Sequence, residues 1–266
     1  MSGAIDVTSD GEQPSFARGL AAALAEGGAR AAQRICELCV GALPVTGAAI
    51  TAMTSPHLQY RVWATDEVAA RIDELQFRLS EGPCVEAFTS GAPVLVADIA
   101  EGVHDKWPVF AAAAVQETVA RGMYVFPLRG GPISIGVLDF YRDQPGELEA
   151  PELAHARQAS NAAFWAVLDT HPGGRLDPTG APQTEGPPGP AGPRGGADVD
   201  VEGWLADAPL ERAEVYQATG MVIAQLDVTP DAALATLRAH AFVHNRPIDA
   251  VARDVVARRL RFTQER

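Results

Sequence analysis

The sequence predicts an α+β protein, an antiparallel sheet with flanking helices, followed by a separate C-terminal three-helix bundle. Three observations predict it. Between residues 25 and 170, helical periodicities alternate with short β-rich runs in the order helix, strands, helix, strands, helix. Residues 171–200 are rich in Pro and Gly, with almost no large apolar side chains. Such a segment buries too little surface to offset its ordering entropy, and reads as a flexible linker. Beyond it, residues 201–266 carry start and stop signals for three short helices. Residues 1–24 are expected to be a disordered or short helical extension.

Within 25–170, the segment Ala29–Ala42 places Ala32, Ile35, Cys36 and Cys39 on one helical face. The β-rich runs Ala48–Met53 and Leu58–Ala64 flank Thr54-Ser55-Pro56-His57, a turn-forming cluster, so a hairpin is expected. Residues 65–77 return to a helical period. Ser80-Glu81-Gly82-Pro83 is a turn before a short helix, and Pro93–Ala97 is a strand. An alanine-rich helix follows from Pro108. Met123–Leu128 and Ile133–Tyr141 form a second hairpin about Gly130-Gly131. A long helix over Glu147–Leu168 closes the unit.

In the bundle, Asp207 is the expected first cap, with Pro209 in the first turn and the helix ending near Leu226. Thr229-Pro230-Asp231 opens the second helix with a hydroxyl cap, a first-turn proline and an acid at the positive helix end. Leu234, Leu237, Ala241 and Phe242 are read as its apolar face. Arg246-Pro247 ends it, and Ile248, Val251, Ala252 and Val255 mark a third amphipathic helix. Gly220 inside the first helix is expected to face a neighbour, because an exposed helical glycine costs about 1 kcal/mol relative to alanine.

Composition narrows the function classes. The chain has 21 basic and 34 acidic residues, a net charge of −13, which repels nucleic acid at long range. The charge is uneven. From Trp204 to the end, eight Arg meet eight Asp or Glu, so the deficit of 13 basic against 26 acidic lies upstream. Three cysteines, no apparent leader and no apolar run of membrane-spanning length lead us to expect a reduced, cytoplasmic protein without membrane association.

No P-loop, Gly-x-Ser-x-Gly or catalytic carboxylate pair is present, so no enzyme is expected. Cys36 and Cys39 have metal-ligand spacing but no evident further ligands, and buried thiols are the simpler reading. No metal or cofactor is assigned. Cys84 at a helix start has two readings: a thiolate-forming redox sensor, or a packing residue. His57, His104 and His155 share no spacing and read as solvated or core residues.

The segments SEGPCVEAFTSGAPVLVADI, Trp107-Pro108-Val109-Phe110 and YVFPLRGGPISIGVLDFY make residues 25–170 resemble a GAF domain. The resemblance implies a sensor that holds a small-molecule ligand or only dimerises. VYQATGM at 215–221, AALATLR at 232–238 and NRPIDAVA at 245–252 resemble the ANTAR domain. That resemblance implies a three-helix RNA-binding output module, usually dimeric, that grips paired hairpins in a nascent transcript and prevents termination. The family usually has a lysine where this chain has Thr219, which removes one cation from the expected RNA face.

Phosphates need cations, and loop bases need polar or stacking partners. The candidate RNA contacts are therefore Arg238 and Arg246 first, then Gln217, Thr219, Arg253 and Arg258. Asp249 and Asp254 precede Arg253 and Arg258 by four, so those two arginines also read as helix-surface ion pairs. Tyr216 reads equally as a base-stacking ring or a core-edge residue. The alternative for the whole bundle is a dimerisation or protein-interaction module, with the GAF-like domain as the functional part.

Overall fold

The computed structural model describes residues 13–101, 105–131, 133–170, 212–244 and 246–263. The Pro/Gly-rich linker, the Asp207 cap and His104 lie outside the described residues. The sheet unit runs α1 (Gln13–Glu26), α2 (Gly28–Ala42), β1 (Gly47–Ser55), β2 (Leu58–Ala64), α3 (Glu67–Leu79), α4 (Pro83–Ser90), β3 (Val94–Val96), α5 (Pro108–Glu117), β4 (Gly122–Gly130), β5 (Ile133–Arg142) and α6 (Ala150–Asp169). The bundle is α7 (Ala213–Leu226), α8 (Pro230–Val243) and α9 (Ile248–Val256). No described helix is long and apolar enough to cross a membrane.

The five strands lie in the order β2-β1-β5-β4-β3, every pairing antiparallel. Both faces are covered. Ile50 and Ala52 of β1, with Leu138 and Phe140 of β5, point into a core closed by α1, α2 and α6. Their neighbours Ala49, Met53, Val137 and Tyr141 point into a second core under α3, α4 and α5. The period-two alternation of a strand thus feeds two apolar layers, and β1 is buried from Gly47 through Met53. Each fully buried Phe, Met or Ile in these layers contributes about 1.5–3 kcal/mol relative to exposure. Phe16, Leu20 and Ala23 of α1 belong to the first core.

Local signals hold the elements in place. Asp66 caps α3 by accepting a hydrogen bond from the Ala69 amide at 2.8 Å. Glu152 accepts from the Glu149 amide at 2.6 Å, half of a reciprocal capping box at the start of α6. In the bundle, Thr229 accepts from the Ala232 amide and Pro230 takes the first helical turn, as its sequence predicts. Val215, Val222, Leu234, Leu237, Ile248, Val251 and Val255 form the bundle core.

Two expectations are corrected. Gly220 is exposed, and a Cβ there would meet nothing within 4 Å. It lies about 140° round the helix from Val215, so no neighbour approaches it. Phe242 is 80% exposed. It sits about 100° round α8 from Ala241, where the buried stripe ends.

At Gly136, β5 passes close against the backbone of β1. The glycine's φ is 154°, and a Cβ would stand 2.2 Å from the Thr51 carbonyl oxygen. We predict that Gly136→Ala costs at least about 2 kcal/mol from backbone strain and overpacking. Urea denaturation checks this, and an unchanged midpoint would contradict the register described.

Candidate functional site at the helical bundle

The bundle does not present all its arginines to solvent. One of its faces is docked on the sheet unit, at the β1–β2 hairpin and α3. The centre of the contact is Phe77 on α3, which is fully buried and packs in the bundle core rather than in either sheet core. The Arg212 guanidinium lies 4.0 Å from the centre of its ring and that of Arg238 lies 5.1 Å away. Tyr216 meets the ring edge-on at 6.3 Å. Two cations and an aromatic edge around one desolvated ring use its quadrupole from several sides.

Arg212 precedes α7 and is almost wholly buried. It donates to Asp73 at 2.6 Å and to the Gln59 carbonyl at 3.2 Å, with Glu74 at 3.7 Å. Burial alone would lower its pKa. The charges of Asp73 and Glu74 outweigh this and hold it above its ordinary value. Asp73 also accepts from Thr51 at 2.7 Å and from Arg61 at 3.2 Å. The Tyr216 hydroxyl accepts from the Gln59 amide at 3.2 Å and donates to the Gln59 carbonyl. Burial raises its pKa, keeping it a neutral donor.

Arg238, the first candidate for RNA contact, is turned into this seam. It donates to the Phe77 carbonyl at 2.6 Å and reaches His57 Nδ1 at 3.1 Å. A guanidinium only donates, so His57 Nδ1 is the acceptor and carries no proton in the docked state. Burial lowers the Arg238 pKa to about 10, which still leaves it charged at neutral pH. Burial, and then the Arg238 charge, lower the pKa of His57, with Asp231 opposing. His57 is therefore neither an isolated surface residue nor a core one.

The other candidates fall into three groups. Thr219 is buried, and its hydroxyl donates back to the Val215 carbonyl at 2.8 Å, so it offers nothing outward. Gln217 is exposed. Arg246 is exposed but paired with Asp254 at 2.6 Å, and Arg259 joins the same carboxylate at 2.8 Å. The Asp254–Arg258 pair read from sequence is thus replaced: Asp254 is occupied, and Arg258 leaves the helix with a left-handed φ of 58°. Arg253 and Arg258 are exposed, and neither side chain has an ion pair among the described residues. Arg261 is exposed beside them in sequence.

The cysteines lose their chemical readings. Cys84 sits one residue into α4 but is fully buried, and desolvation raises its pKa well above the ordinary thiol range. Desolvation outweighs the helix-end effect, so the thiolate expected of a redox sensor is disfavoured. Cys36 and Cys39 are buried, the latter pushed up to about 12 by desolvation. No group that could hold a metal ion occurs among the described residues.

One polar feature inside the sheet unit touches the seam. A cavity of about 10 Å³ between the sheet and α3 is lined by Ala49, Ile72, Asp73, Met123, Asp139 and Tyr141, among others. That is about the room of one water. Both carboxyl oxygens of Asp139 are buried there without a hydrogen-bond partner. Desolvation and then Asp73 push its pKa well up.

Residues 205–256 match the model of the ANTAR domain family, a span that contains α7, α8 and α9. Solved structures similar to the chain include the GAF domain of an Acinetobacter phosphoenolpyruvate-protein phosphotransferase, at 10% identity and TM-score 0.48 over 60% of this chain and 94% of that one. The corresponding domain from Coxiella burnetii shows 13% identity and TM-score 0.46 over 58% and 91%. Free methionine-R-sulfoxide reductase from Neisseria meningitidis shows 13% identity and TM-score 0.43 over 63% and 96%. These likenesses are too distant to carry a function. No curated protein matches the chain.

Two predictions follow from the seam. Asp73→Ala strips a buried guanidinium of its main partner and should cost about 3–5 kcal/mol in urea denaturation; a cost below about 1 kcal/mol would contradict the pairing. The second concerns pH. His57 is faced by Arg238 and Asp231 of the bundle and by Ser80 after α3. Its folded pKa is depressed, so its contribution is complete above about pH 6.5 and is lost as pH falls through the folded value. Measured from about pH 7.5 down to about pH 5, the stability of the wild type should fall relative to His57→Asn, which does not titrate. Parallel pH curves would contradict the assignment.

Proposed function

We propose that this chain is a signal-responsive, RNA-binding regulator of transcription termination. The GAF-like sheet unit acts as the sensor and the ANTAR-type bundle as the output. The observation that carries the reading is the ANTAR match over 205–256, the stretch that folds as three helices and ends in exposed arginines. In this reading the module binds paired hairpin loops of a nascent transcript, so that a terminator does not form. It works in the cytoplasm as a homodimer, one bundle to each loop. A small molecule held by the sheet unit is the proposed signal. The proposed role is regulatory and involves no catalysis.

Electrostatics shape the expected affinity. The net charge of −13 opposes approach, so binding depends on local cations. Arg253 and Arg258 can meet phosphates without first breaking an ion pair among the described residues, whereas Arg246 must give up Asp254. Arg238 becomes available only if the seam opens.

The exposed Phe242 and Val243, at 80% and 75%, favour a second reading in which the bundle binds a protein partner or another copy of the chain. The two readings differ in salt dependence, because phosphate contacts release counterions and apolar contacts do not. Full-length protein with tandem-hairpin RNA should bind with a steep salt slope. Arg253→Ala and Arg258→Ala should each weaken binding and reduce that slope by about 1. A flat slope that neither substitution alters, with affinity lost instead in Phe242→Ala, would overturn RNA binding in favour of the partner.

A further inference from the structure

We propose that the sheet unit holds the bundle in an RNA-silent docked state, in which Phe77 and His57 compete with RNA for Arg238 while Asp73 pins Arg212. The inference rests on the RNA-binding reading above and adds its regulation.

Four observations carry it. First, the seam is specific. It joins a buried ion pair, two guanidinium–ring contacts and a tyrosine hydroxyl bonded to both backbone groups of one residue. Second, much of it is polar. A permanent joint between two units is normally closed by apolar surface, and buried ion pairs contribute less to stability than to choosing one arrangement. Among the described residues, Phe77 is the one large side chain of the sheet unit in the bundle core, and the contacts around it include charged and hydrogen-bonded groups. Third, the seam captures Arg238, a cation in the ANTAR-like segment, and leaves Arg253 and Arg258 outside. Docking therefore removes part of the charge an RNA would meet.

Fourth, the pin is shared with the interior. Asp73 contacts Arg212 on one side and lines the Asp139 cavity on the other. A change in that cavity reaches Asp73 directly, without a relay through intervening residues. The apparent RNA affinity of a docked population is lowered by the fraction that is open. Weakening the pin should therefore raise affinity, although no RNA contact has been added.

The test uses the full-length chain. Asp73→Asn keeps the side-chain shape and an acceptor but removes the charge that pins Arg212. Tyr216→Phe keeps the ring and removes only the hydroxyl, so it serves if the first variant folds poorly. Hydrogen exchange of the RNA-free proteins reads docking, and binding to tandem-hairpin RNA reads silencing. We expect faster exchange in 58–64 and 213–226 with an unchanged sheet core, and RNA binding tightened at least about tenfold. Adding Arg238→Ala to Asp73→Asn should take that gain back.

Unchanged exchange in both variants would overturn the pin. Opened exchange with hairpin RNA bound as well as by wild type would overturn silencing while leaving RNA binding intact. Opened exchange with no hairpin binding by any variant would sink the RNA reading, and the inference with it.

Discussion

The Arg212–Asp73 ion pair, closed over the Phe77 ring, is the constraint on which the arrangement depends. It joins residues 139 apart in sequence and removes two charges from water, which is unfavourable unless both are fully satisfied. They are. Asp73 receives Thr51, Arg61 and Arg212, and Arg212 spreads its donors over Asp73 and the Gln59 carbonyl. Such a network tolerates little displacement, so it fixes where α7 starts relative to α3 and the β1–β2 hairpin. Tyr216, one turn further along α7, then meets Gln59, and Arg238 on α8 reaches the Phe77 carbonyl.

Six of the bundle's arginines fall into three sets. Arg212 and Arg238 are committed to the sheet unit. Arg246 and Arg259 share Asp254, while Arg253 and Arg258 face solvent. A module of neutral net charge thus has a small free positive surface while docked and a larger one when released. In the proposed RNA-binding reading, the acidity of the whole chain is then less paradoxical, because the charge that would matter is local and would vary with docking.

Much of the fold was legible in the sequence. The strands, the two hairpins, the Thr229 cap and the Arg246-Pro247 stop follow from local rules of period and turn chemistry. The misplaced details were rotational. Gly220 was expected to face a neighbour because an exposed helical glycine is costly, and Phe242 was read into the apolar face of its helix; the helical angle to the buried residues places both outside. The site was less legible. Arg238 was identified as important but expected on an open surface, and Arg212, Phe77, Asp73 and Gln59 carried no local signal at all. Their hydrogen bonds across the seam join residues 139 to 161 apart, and no periodicity reports a contact at that range. His57 was dismissed for want of a spacing partner for the same reason. Of the two readings of Cys84, a thiolate at a helix start or a packing residue, its burial favours the second, because desolvation governs a buried thiol.

The most direct measurement is an NMR search, on the full-length protein free of RNA, for through-space cross-peaks between the Phe77 ring and the side-chain methylenes of Arg212 and Arg238. The docked arrangement predicts both sets, with ring-current shifts on the two arginines that vanish in Asp73→Asn. Absent cross-peaks, with arginine shifts at solvent-exposed values and a bundle tumbling independently of the sheet unit, would contradict it.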